Sequence, residues 1–275
     1  MFDFLRKASG EVPAPLDGAG ALPEKGALAC PGVVESGRVA SAAGETARPA
    51  GGAVVPGATP AGDEGDVPSM VERTCREFSE RLAAHEPIPG GGGASAYVGA
   101  LGTALCTMVC HYTQGKPAYA AYEENIAHAI AATGRIRYEL LKLVDEDARA
   151  YECVTRAYGL PRTDPGRPAA IEHALHKAAI PPYRIMVACS RSLIQLEELG
   201  DHVSKLLISD VACGALMCRA ALQSASLTLY ANTTAMADRE CARELEAECD
   251  ALLATWLPRA DALAERAARL VRGKE

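Results

Sequence analysis

Aromatic side chains are scarce in this chain: three Phe, one Trp and nine Tyr among 275 residues, 5% in all. No segment alternates apolar and polar residues over the length of a strand, which excludes a sheet protein. No repeat of fixed period is present. Positive charge is also in deficit, with 28 Lys and Arg against 35 Asp and Glu and a net charge of -7. That balance excludes a general nucleic-acid binder. No apolar stretch reads as long and clean enough to span a bilayer. The start, Met-Phe-Asp-Phe-Leu-Arg-Lys, lacks the basic-then-apolar order of a signal peptide. The ten cysteines form no C-x-x-C. Cys106 and Cys110 share a helix face without further ligands at zinc spacing, so no metal site is expected. Their spread over a chain this long reads as reduced thiols in a cytoplasmic protein. No Gly-Lys-Ser/Thr follows the glycine run, so there is no P-loop.

What is present is a hydrophobic content of 49%, ample for a sizeable core and rich in Ala and Leu. Residues 1–10 could form a turn or two of amphipathic helix. Residues 11–66 are rich in Ala, Gly and Pro without apolar period, and such a segment cannot bury enough surface to offset chain entropy. The expected organisation is a disordered tail over 1–66 and one all-α domain over 67–275, a bundle of about six or seven long helices. Ser69-Met-Val-Glu72 reads as a capping box, with Val71, Cys75, Phe78 and Leu82 turned inward behind it. A glycine loop, Gly90 to Gly93, then leads into a helix from Val98 to Thr113. A long helix is expected from about Tyr119 to Tyr158, with a break near Gly134 left open, stopped by Leu160-Pro161. The next helical stretch, about Pro168 to Leu199, should kink or break at Pro181-Pro182. His173 and His176 there read as a pair near the surface or in polar packing. A helix from Asp201 to about Ala231 is apolar or small nearly all round from Ile208 onward, which marks a central buried helix. The last runs from about Ala237 to Val271, with Pro258 a candidate kink.

Two features bear chemistry. The first is the glycine run. Its backbone admits close approach, and the free N–H groups of the helix behind it suit an anion or a polarised carbonyl. Ala96, Gly99, Ala100, Thr103 and Ala104 form a stripe of small residues that calls for a tight contact. The second is Asp145-Glu146-Asp147. At about 100° per residue, Leu140, Val144, Tyr151 and Val154 share one face with Asp147 near its middle. Asp145 lies at the edge of that face and Glu146 points away. Burial raises the pKa of a carboxyl towards neutrality, which a proton shuttle needs; an Asp tied structurally to an Arg or a helix end fits the wheel equally. Ser209-Asp210 opens the apolar helix, Asn232 closes it, and Arg219 is its main interior charge. Lys116 and Tyr119 follow the second helix. Arg162 reads as a solvated loop residue.

Taken in order, Pro89-Gly-Gly-Gly-Gly-Ala-Ser95, Gly99-Ala-Leu-Gly-Thr-Ala-Leu-Cys-Thr-Met-Val, Thr113-Gln-Gly-Lys116-Pro-Ala-Tyr119, Leu-Val-Asp145-Glu-Asp147-Ala-Arg-Ala-Tyr151, Leu160-Pro161-Arg162 and Ser209-Asp210 through Asn232 resemble the cyclodeaminase/cyclohydrolase family. The resemblance covers about residues 69–272. It implies an all-helical homodimer acting on a tetrahydrofolate derivative, polyglutamylated forms included, with no cofactor beyond that substrate. It makes Asp147 the proton donor and acceptor. It lines the folate cleft with Gly90, Gly91, Gly92, Gly93, Ser95, Lys116, Tyr119, Asp210 and Asn232. Two departures stand out: Thr228 occupies a position that is usually Asn, and Pro117 interrupts a usually basic run. The implied reaction is closure of 5-formimidoyltetrahydrofolate to 5,10-methenyltetrahydrofolate with loss of ammonia. The alternative is a cyclohydrolase that opens the methenyl bridge to 10-formyltetrahydrofolate. A folate-binding or scaffold protein without catalysis is a further alternative, and an adaptor working through residues 1–66 another.

Overall fold

The computed structural model describes residues 69–200 and 202–274; the expected tail over 1–66 and the helix start at Asp201 lie outside them. Among the described residues there are six α-helices, one short 3-10 helix and no strand. They are α1 (Cys75–Ala83), α2 (Gly91–Thr113), the 3-10 helix (Pro117–Tyr122), α3 (Glu123–Gly159), α4 (Arg167–Gly200), α5 (Ile208–Ala235) and α6 (Arg239–Val271). Helices α2 and α5 lie side by side and antiparallel, with Gly91 next to Thr228 and Gly102 next to Gly214. They are flanked by α3 and α6, and α4 packs behind.

The small-residue stripe is where α2 meets α4 and α5, with Gly99 against Cys189 and Ala221 and Thr103 paired with Ser192; Gly102, beside the stripe, faces α5. A methyl group on Gly102 would sit 2.8 Å from the Gly214 carbonyl oxygen and 2.8 Å from Cys218 Sγ. The absent side chains therefore allow backbone-to-backbone approach, and that packing offsets the poor helix propensity of glycine. Gly102→Ala should destabilise the fold by about 1–3 kcal/mol, because the opposing atom is backbone and cannot swing aside. Gly134→Ala, on α3 with nothing within 4 Å of the added methyl, should instead stabilise by about 0.5–1 kcal/mol. Urea unfolding of the two variants with unchanged m checks both signs; a neutral Gly102→Ala would mean that the helices are not in register here.

Several boundaries differ from the sequence expectation. The capping box is Thr74 with Glu77: the Thr74 hydroxyl accepts from the Glu77 N–H, and the Thr74 N–H donates to Glu77. Ser69 instead donates to Asp145 Oδ2 at 2.8 Å, and the Met70 N–H donates to Asp145 Oδ1 at 2.6 Å. Of the residues expected to point inward from α1, Phe78 is buried, whereas Cys75 and Leu82 are exposed. The glycines are not a loop; α2 begins at Gly91 and they form its first turn. Helix α3 passes Gly134 unbroken, as α4 passes Pro181-Pro182 and α6 passes Pro258. Helix α5 is not enclosed on all sides. Leu216 is 47% and Leu227 67% exposed on the same face as exposed Cys213 and Ala220, and Leu101 and Tyr112 of α2 are 40% and 60% exposed. By length and composition α2 also meets the requirement for a membrane span, contrary to the sequence reading, but 61% of that window is buried inside the bundle.

Candidate active site

Helix α3 carries the acidic cluster. Glu123 and Glu124 sit in its first turn and Arg156 in its last, charges that favour the helix dipole. Leu140, Leu143 and Val144 are buried against the core, which fixes the rotation of the helix about its axis. That rotation sends its three acids to three destinations. Asp145 receives the Ser69 and Met70 donors and anchors the chain entering α1. Glu146, expected to point away, accepts from Arg184 Nη1 at 2.6 Å and braces α3 against α4. Asp147 faces the first turn of α2.

There the glycines acquire a specific purpose. A methyl group built on Gly92 would lie 2.2 Å from Asp147 Oδ1 and 2.5 Å from its Cγ. The carboxyl thus occupies the space a side chain would fill. The Gly93 N–H donates to it, so one of the first-turn N–H groups is satisfied by the protein's own acid. Burial pushes the Asp147 pKa up from 3.8 to about 6, against the opposing pull of that hydrogen bond.

Asp147 lies in the wall of a pocket of about 230 Å³, shared with Ile88, Gly90, Gly91, Tyr151, Thr228 and Asn232. Asn232 is oriented by backbone on two sides. Its Nδ2 donates to the Ala178 carbonyl at 3.1 Å and the Thr228 carbonyl at 3.0 Å. The first acceptor is free because Pro182, four residues on in α4, has no N–H to give it. With both amide hydrogens engaged, what Asn232 offers the pocket is its Oδ1, an acceptor. Tyr151, 46% exposed, stands at the rim one turn beyond Asp147.

The residues expected at the cleft do not all come together. Gly90, Gly91, Asp147 and Asn232 line the pocket, and Gly92 and Gly93 seat the carboxyl. Ser95 does not line it: its hydroxyl donates to the Gly91 carbonyl at 2.6 Å and pairs with Ser224 at 2.7 Å, tying α2 to α5. Lys116, Tyr119 and Asp210 are at the other end of the bundle. Asp210 is in the first turn of α5 and Asn232 in its last, roughly 33 Å apart at 1.5 Å per residue. Lys116 follows the far end of α2. Arg219, the interior charge, is held by Asp261 of α6 at 3.0 Å and is structural. Sequence reasoning missed Ile88 and assigned no site role to Tyr151 or Thr228. The i+4 step from Asp147 to Tyr151 and the i-4 step from Asn232 to Thr228 were the available signals.

A carboxyl pushed up to about 6 and seated on a helix N-terminus at the wall of a pocket has the chemistry that taking up and returning a proton requires, here in an all-α fold. A family model described as formiminotransferase-cyclodeaminase matches residues 74–251. The chain belongs to that family. It is 37% identical over 206 residues to a methenyltetrahydrofolate cyclohydrolase of Methylorubrum extorquens, covering 73% of this chain and 97% of that one. It is 30% identical over 171 residues to the rat formimidoyltransferase-cyclodeaminase, of which it spans 30% while 61% of this chain is covered. Among solved structures, a formiminotetrahydrofolate cyclodeaminase of Thermotoga maritima superposes with a TM-score of 0.64 at 28% identity, over 72% of this chain and 99% of that one.

Proposed function

We propose that this chain is a folate one-carbon enzyme acting at the 5,10-methenyl bridge of tetrahydrofolate, with Asp147 moving the proton. The observation that carries the reading is the Asp147 carboxyl, pushed up to about 6 and held against the first turn of α2 at the pocket. We favour the cyclohydrolase direction over the cyclodeaminase first expected from sequence. The support is the 37% identity to the Methylorubrum enzyme across nearly its full length, against 28–30% to the Thermotoga and rat cyclodeaminases.

The amidinium carbon of the bridge is electrophilic as it stands, so neither a metal nor a redox cofactor is needed for attack. Ionised Asp147 takes a proton from the attacking water as its oxygen bonds to the bridge carbon. The bond from that carbon to N5 then breaks as Asp147 returns its proton to N5, and the hydroxyl proton of the adduct leaves to solvent, so that a formyl carbonyl remains on N10. In the cyclodeaminase reaction the same carboxyl takes a proton from N10 and gives one to departing ammonia. The test is methenyl absorbance followed with both substrates in parallel. The cyclohydrolase consumes 5,10-methenyltetrahydrofolate; the cyclodeaminase produces it from 5-formimidoyltetrahydrofolate. Tight binding with turnover of neither would favour the non-catalytic folate-binding alternative.

The second part of the proposal is a homodimer. The pocket, at about 230 Å³, is below the roughly 300–1,000 Å³ of sites for drug-sized ligands, so one chain holds the reacting end of a folate and not the whole molecule. The uncovered apolar face of α2 and α5 is the surface a second copy would bury. A two-fold axis perpendicular to these helices places the Lys116, Tyr119 and Asp210 end of one protomer beside the Asp147 end of the other. Lys116, exposed, is then positioned to meet the glutamate tail. Mixing Asp147→Asn with Asp210→Ala chains should therefore recover activity, to about a quarter of the parent value, since half of random dimers are mixed and one of their two sites is whole. No recovery on mixing would place the site within one chain. The many buried thiols, none of them in a disulfide among the described residues, fit the reducing cytoplasm.

A further inference from the structure

Beside the end of α5 lies a second constellation that the proposed chemistry does not use. His176 of α4, Asp238 at the N-cap of α6 and Cys241 in its first turn bring three ligand atoms within 4.8 Å of one another. His176 Nδ1 is 3.7 Å from Cys241 Sγ. Tetrahedral zinc with bonds of about 2.3 Å to sulfur and about 2.0–2.1 Å to nitrogen sets those two atoms about 3.5 Å apart, so the pair already stands near ligand separation.

The surroundings orient all three groups. Glu172 Oε1 lies 3.1 Å from His176 Nε2, which places the imidazole proton on Nε2 and aims the Nδ1 lone pair at Cys241. A carboxylate behind a histidine in this way is a common outer partner of a metal-ligating imidazole. Glu172 is itself held by the Ala237 N–H at 2.7 Å and the Asp238 N–H at 2.9 Å. Asp238 Oδ1 accepts the Cys241 N–H at 3.0 Å, which fixes the carboxylate and leaves Oδ2 for a ligand. Asp238 is exposed and Cys241 buried, so a cation could enter from the Asp238 side and keep a water as fourth ligand.

We propose that His176, Asp238 and Cys241 form a binding site for a zinc-class divalent cation, with Glu172 positioning the histidine. Binding releases the Cys241 proton to solvent and joins a thiolate, a carboxylate and a neutral imidazole to the cation. The site joins α4 to the α5–α6 junction. Two residues beyond His176, the Ala178 carbonyl holds Asn232 in the pocket, so the cation is a staple for the pocket wall and takes no part in the reaction. His176 stands 65 positions before Cys241 in sequence, which is why no short motif announces the site.

The test is Co²⁺ titration of the metal-stripped full-length chain. One equivalent should bind with a thiolate-to-cobalt charge-transfer band and the visible bands of tetrahedral cobalt, and Zn²⁺ should displace it and raise the melting temperature. Cys241→Ser should abolish the band, while Cys75→Ser and Cys213→Ser should retain it. Asp238→Asn keeps a side-chain oxygen to cap α6, so its fold is preserved, and its Co²⁺ and Zn²⁺ affinities should fall. Glu172→Gln should weaken binding about 10–100-fold. No saturable cobalt band in the parent chain, or a band unaltered by both Cys241→Ser and Asp238→Asn, would overturn the assignment.

Discussion

Asp147→Asn is expected to reduce turnover about 10²–10⁴-fold, a loss of about 3–5 kcal/mol of transition-state stabilisation, while the folded protein becomes more stable at neutral pH. Asparagine keeps the size and polarity of the side chain but cannot take up and return a proton. The stability gain follows from the sign of the shift. The carboxyl titrates at about 6 in the fold against an ordinary 3.8, so the fold favours the protonated form. Ionisation therefore costs nothing below the ordinary value, costs progressively more as pH rises to about 6, and costs a constant amount above it. At about 1.4 kcal/mol per pKa unit that cost has an upper bound near 3 kcal/mol, reduced by solvent in the pocket. The gain of Asp147→Asn over the parent should appear above pH 6 and vanish below pH 4. Asp145→Asn should behave oppositely. It weakens the anchor that receives Ser69 and Met70, lowers stability, and leaves most of the turnover. Equal losses of activity in the two variants would make the pair one coupled dyad and remove the assignment to Asp147.

Gly92→Ala should be nearly as damaging to activity and far gentler on the fold. The added methyl would lie 2.2 Å from Asp147 Oδ1, a contact no structure sustains. What gives way is the carboxyl, the end of a short side chain, rather than backbone. Asp147 would leave its place beside the Gly93 N–H, and a misplacement of about 1 Å in a catalytic group costs on the order of 10²-fold. The melting temperature should change little, since alanine also suits a helix better than glycine. Gly134→Ala is the control: nothing lies within 4 Å of its added methyl and it is outside the pocket, so it should retain activity. If Gly92→Ala is fully active, the carboxyl does not work from the seat described here.

The sequence reading succeeded where one periodicity decides the answer. The all-α class followed from apolar spacing without strand alternation, and the inward turn of Asp147, though not its role, followed from 100° steps that also carry buried Leu140 and Val144. It went astray where two local patterns compete and a distant partner chooses. Ser69-x-x-Glu72 and Thr74-x-x-Glu77 both spell a capping box; Asp145, 76 positions away, takes the Ser69 hydroxyl and leaves the cap to Thr74. The glycines looked like a loop because their helix propensity is poor, yet the close approach of Asp147 and α5 pays for a helix that starts at Gly91. Pro181-Pro182 should have broken α4, but the carbonyl that Pro182 leaves without a donor is taken by Asn232. The split of the cleft residues between two ends of the bundle was legible by arithmetic alone. Asp210 and Asn232 are 22 positions apart on one helix, and a helix of that length separates its ends.

The most direct measurement of the central claim is a carboxyl ¹³C NMR titration of the parent protein, with Asp147 assigned by comparison with Asp147→Asn, set beside the pH profile of kcat/KM for methenyltetrahydrofolate. Asp147 should titrate at about 6, and kcat/KM should fall about tenfold per pH unit below that value, because the attacking water needs the ionised form. A carboxyl that titrates near 3.8, or activity that stays level through pH 6, would contradict the account.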